Sequence, residues 1–136
     1  MKQFIVLLAI LPILLLFMMQ IVYEQKNIAK MNLIQSIVYA AKEDAKQAGY
    51  FSREQQEQVS LELLSISGVE EVTITSNQDA PQKRYSLASN RFIDYRIELV
   101  LTDIMAGGGT IISEEDNRYT YVIEGYTASE FLEDEE

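Results

Sequence analysis

The first two dozen residues carry almost no polar positions. Residues 4–19 read FIVLLAILPILLLFMM without a single charge, and Ile21, Val22 and Tyr23 extend the run beyond Gln20. About 19 apolar residues at 1.5 Å each come close to the roughly 30 Å hydrocarbon thickness of a bilayer. A cleavable secretory signal has a shorter core of about 7–15 residues and a small-residue cleavage site. The pattern predicts a retained membrane anchor over 1–23 and an exoplasmic α+β domain over 24–136. Lys2 and the amino terminus before the run, and a long acidic domain after it, place the N-terminus inside and the C-terminus outside. Pro12, in mid-span, lacks an N–H and clashes with the carbonyl four residues back, so a kink or a short melted stretch is expected there.

Helical periodicity does not stop at the anchor. Ile28, Met31, Ile34, Val38, Ala41, Ala45 and Ala48 recur at three- and four-residue steps, with Lys26, Lys30, Lys42, Glu43 and Lys46 between them as a solvated face. No glycine or proline intervenes until Gly49, which reads as the residue just past the helix end. Anchor and extension together make about 45 residues, or roughly 70 Å of helix. Ser52 and Gln55 form a capping box, so a second helix should begin near Arg53, with Val59, Leu61, Leu63, Leu64 and Ile66 as its apolar positions and Gly68 as its close.

From there the period changes to two. Val72 and Ile74 alternate with Thr73 and Thr75, predicting a strand over 69–76. Residues 77–90 read as loop. Ile93, Tyr95, Ile97, Leu99 and Leu101 line one face of the next strand, with Asp94, Arg96 and Glu98 on the other. After Gly107, Gly108 and Gly109 and the pair Ile111 and Ile112, Tyr119, Tyr121 and Ile123 mark a further strand. The mostly acidic end, residues 130–136, should fray, with Phe131 and Leu132 as its apolar pair. The expected fold is α+β: a long helix, a short helix, then three or four antiparallel strands whose apolar face lies on the second half of the long helix. Ile34, Val38, Ala41 and Ala45 are expected to meet Tyr95, Ile97, Leu99, Tyr121 and Ile123 there.

Charge narrows the function classes. Every acidic residue lies at Glu24 or later, and that portion carries 10 basic against 21 acidic side chains, a net of −11. Such a surface repels nucleic acid, so no nucleic-acid partner is expected. The chain has no cysteine and no histidine, which removes thiolate chemistry, disulfides and the commonest general base and metal ligands. Glu114, Glu115 and Asp116 lack the alternating donor spacing of a calcium loop. The glycine triplet lacks the Lys-Ser/Thr of a phosphate loop. Nothing sets Ser36, Ser52 or Ser60 beside a desolvated lysine. No catalytic, cofactor or metal site is expected.

An apolar N-terminal helix running out of the membrane into a small domain with a C-terminal sheet resembles the type IV pilin-like superfamily. The segment AAKEDAKQAGYFSREQQEQVSLELLSISGVEEVTI, in which a glycine ends the helix, a short helix follows and Gly-Val leads into a strand, is similar to the small TadE-like and conjugation-associated pseudopilins of Gram-positive bacteria. Ile5 stands where many pilins, counted from this first residue, carry a glutamate, a departure that minor subunits tolerate. The resemblance implies a structural subunit of a pilus-like filament, in the membrane before assembly and at the cell surface after it. Its partners would be copies of itself, related minor pilins or an envelope assembly platform. Phe4, Leu8, Pro12, Leu15, Phe17 and Ile21 would then lie in the filament core. The alternative is a bitopic scaffold of a secretion or conjugation complex that stays in the membrane.

Overall fold

The computed structural model describes residues 1–77, 80–81 and 92–132. Helix α1 (Lys2–Ala48) is one helix of 47 residues, and Gly49 at φ 82° ends it in the left-handed conformation. The helix passes through Pro12 without the expected melted stretch. Proline already holds a helical φ, and one missing hydrogen bond is outweighed by the intact turns on either side. Helix α2 (Arg53–Leu64) starts at the capping box: Ser52 Oγ accepts from the Gln55 amide, and Gln55 Oε1 accepts from the Ser52 amide. Three strands follow: β1 (Val69–Ser76), β2 (Phe92–Thr102) and β3 (Arg118–Ala128). They pair antiparallel in the order β1-β2-β3, a meander with β2 in the middle. Ile97 faces Ile74 on one side and Ile123 on the other, which fixes a single apolar face.

That face lies on the second half of α1. Ile34, Val38, Ala41 and Ala45 are buried against Ile93, Ile97, Leu99 and Leu101, with Val59 and Leu63 of α2, Phe51 and Val69 closing the core. Tyr95, Tyr121 and Ile123 pack on its margin half-buried, the last two on the edge strand β3. The small side chains of Ala41 and Ala45 let Phe51 close over the upper core, its ring 5.9 Å from that of Tyr95. Each fully buried Ile, Leu or Phe contributes about 1.5–3 kcal/mol of transfer free energy.

Four readings of the pattern are corrected here. Ile28 is exposed: β2 ends at the level of Lys30, and below it the chain meets Asn27 instead. Leu61 and Leu64 of α2 are also exposed, since a 12-residue helix on a sheet edge covers only the Val59–Leu63 side. Lys30, assigned to the solvated face, is only 7% exposed. Glu130 is not frayed: its amide donates to the Lys46 carbonyl at 2.9 Å and its carboxylate pairs with Lys46 Nζ at 2.8 Å. Most of the expected loop over 77–90, and residues 133–136, lie outside the described residues.

Candidate functional site

The first half of α1 has no partner among the described residues. Phe4, Leu8, Pro12, Leu15, Phe17 and Ile21 are all exposed, and so is every other residue up to Val22. Polar side chains in this stretch are limited to Lys2, Gln3 and Gln20, so no side of the helix is a wet face. Sixteen large apolar side chains between Phe4 and Val22 stand open. At even about 1 kcal/mol apiece, covering them is worth more than about 15 kcal/mol. That exceeds the 5–15 kcal/mol net stability of an ordinary domain. The helix is long and apolar enough to cross a membrane, with none of its apolar window buried.

The exposed half meets the domain at a polar collar. Lys26 Nζ pairs with Asp103 at 3.1 Å and lies 5.4 Å from the Tyr23 ring centroid. Asn27 Nδ2 donates to the Ile104 carbonyl at 2.7 Å, and Lys30 Nζ reaches the Thr102 carbonyl at 3.5 Å. Lys30 fits because Gly68 leaves space: a Cβ there would sit 2.4 Å from its ammonium. Gly68 holds φ +83°, so it meets both a conformational and a steric requirement. Burial lowers the Lys30 pKa, the charge of Lys26 lowers it further, and Asp103 partly offsets both.

Residues 103–117 between β2 and β3 complete the collar. Buried Asn117 accepts at Oδ1 from the amides of Ile104 at 3.0 Å and Met105 at 2.8 Å, and donates from Nδ2 to the Met105 carbonyl at 3.2 Å. Its side chain takes the place of a missing strand partner. Gly108 gives it room, because a Cβ there would come within 2.5 Å of Nδ2. Glu114, Glu115 and Asp116 are exposed, with Ser113 Oγ bonded to Asp116. At the far end, the hydrogen bond from Lys46 to Glu130 holds the Lys46 ammonium above its ordinary pKa.

Two residues of this collar escape sequence reasoning. Nothing in the pattern distinguishes Lys30 from the solvated lysines around it, or marks Asn117 as buried. The packing residues named from the pattern do come together, with Ile34, Val38, Ala41, Ala45, Ile97 and Leu99 in the core and Tyr95, Tyr121 and Ile123 beside it. The molecule is thus an α+β head on a single apolar helix of membrane-spanning length. No protein-family model, curated protein or solved structure matches the chain.

Proposed function

We propose that the chain is a structural subunit of a pilus-like filament, inserted in the membrane through residues 4–22 and then bundled through the same surface with copies of itself. The observation that carries the reading is one uninterrupted helix with two different halves. The first is apolar around its whole circumference, and the second is the seam on which the head is built. A helix that only tethers a head meets lipid alone. One that leaves lipid for a bundle needs a surface that both environments accept. Related minor pilins or an envelope assembly platform are the expected partners, and Phe4, Leu8, Pro12, Leu15, Phe17 and Ile21 the contact positions.

Cysteines at Ile13, Leu14 and Met19, which stand at least about 100° from one another around the helix, test this singly and in pairs, since the native chain has none to interfere. Oxidised in membranes and in sheared surface material, each single cysteine should give disulfide-linked dimers, and each pair of cysteines should give ladders of many copies. Dimers from one face alone would discard the filament and favour the bitopic scaffold. Leu15→Lys should abolish the ladders. Its insertion is to be scored separately, because a central lysine itself costs about 2.5–3.5 kcal/mol of insertion free energy.

A further inference from the structure

The loop between β2 and β3 carries apolar side chains that the head does not use. Ile111 is 69% exposed, Tyr119 54% and Met105 45%. The collar fixes the position of Met105 and Tyr119 along α1. β2 runs toward the anchor, and successive residues meet successively lower levels of the helix: Thr102 meets Lys30, and Ile104 meets Asn27. Met105 and Tyr119 then line one groove with Ile28, Glu24 and Gln20. Gln20 lies inside the last turn of the apolar run, and Tyr23 is the aromatic at its end. The underside of the head is therefore within about one helical turn, some 5 Å, of the end of the span.

We infer that this underside is a second membrane contact, with Met105, Ile111 and Tyr119 seated in the headgroup region of the bilayer that holds α1. The inference rests on the membrane reading of residues 4–22. The chemistry of the contact is that of an interfacial surface, with apolar side chains and a tyrosine at headgroup depth. Asn117 holds the beginning of the loop in place, so Met105 is presented by a fixed backbone. The exposed acids Glu114, Glu115 and Asp116 on the same loop set the lipid class. They favour zwitterionic headgroups and oppose a strongly anionic leaflet. Seated in this way, the loop fixes the tilt and rotation of the whole molecule relative to the bilayer, which a single helix crossing the interface leaves free.

The test uses the full chain at low density in phosphatidylcholine vesicles, with an environment-sensitive fluorophore on single cysteines at Ile111, Leu14 and Glu54. Lipids spin-labelled near the headgroup should quench Ile111 severalfold more than Glu54, with a blue-shifted emission, and added phosphatidylserine should weaken that quenching. Asn117→Ala should reduce it too. Quenching at Ile111 no greater than at Glu54, with Leu14 strongly quenched by deep labels, would overturn the loop contact and leave the anchor standing. A blue shift at Ile111 without lipid quenching would put the loop against a second copy and overturn the proposal equally. Absence of quenching at Leu14 would remove the membrane reading and this contact together.

Discussion

Lys30 offers the sharpest check on the collar. Its side chain is almost wholly covered, its one hydrogen bond among the described residues is a long 3.5 Å contact to the Thr102 carbonyl, and Asp103, the carboxylate that acts on it, is already paired with Lys26. The charge is therefore poorly compensated, while the four-carbon stem packs well. Lys30→Met keeps most of that stem and removes the charge. Replacing buried charges by apolar groups of similar volume is commonly neutral or stabilising by about 1–4 kcal/mol. With only one long bond to lose, a gain of about 1 kcal/mol is expected, or about 4–8 °C in Tm for a domain of this size. The sign of the pH dependence follows from the lowered pKa. Between the folded pKa and the unfolded value of 10.5, the unfolded chain binds more protons, so stability rises with pH across that window. Below it the penalty is fully present. Denaturant unfolding of the full chain in detergent, at pH 7 and near pH 10, reads both effects. The wild type should gain on the variant as pH rises. A loss of more than about 1 kcal/mol in Lys30→Met at pH 7 would refute the argument, and would mean that the contacts to Thr102 and Asp103 outweigh desolvation.

Two further substitutions address the head. Ile97→Asp places an unpaired carboxylate at the centre of the sheet, costing several kcal/mol, while Glu98→Ala on the opposite face should stay within about 0.5 kcal/mol; equal losses in thermal melts would mean that the strand faces are misassigned. Ser52→Ala removes one half of the capping box and should cost about 1 kcal/mol, with Ser52→Gly closer to wild type, and circular dichroism melts that leave Ser52→Ala unchanged would show that packing alone sets the start of α2.

The regular elements were legible because each has a physical period or a cap. β1 spans the predicted residues 69–76, since Val72 and Ile74 alternate with threonines next to the glycine turn. Ser52 and Gln55 located the start of α2 because the capping box depends on a spacing of three. What stayed hidden depends on where elements end relative to one another. Ile28 continues the apolar stripe, but β2 ends at the level of Lys30, about half a turn above it. Lys30 is buried with its ammonium beside Gly68, distant in sequence, whose missing Cβ leaves room for it. Asn117 gains its role from the backbone amides of Ile104 and Met105, which no local pattern displays. Leu61, two residues from both Val59 and Leu63, stands about 200° around α2 from them and faces outward, as the helical period itself requires.

The two polar clasps, Lys26 with Asp103 and Lys46 with Glu130, sit 20 residues apart on α1, about 30 Å along its axis. Strand β3, of 11 residues, spans nearly the same length between them. Helix and strands therefore run side by side and are fastened at both ends. A tensile load entering through the N-terminal half of α1 reaches the head in shear along this seam. The apolar contacts from Ile34 to Ala45 then share the load and must fail together. Had the sheet been hung from one end of the helix, the same force would have peeled it away contact by contact. Fastening at both ends makes the join between helix and head strongest along the axis of α1.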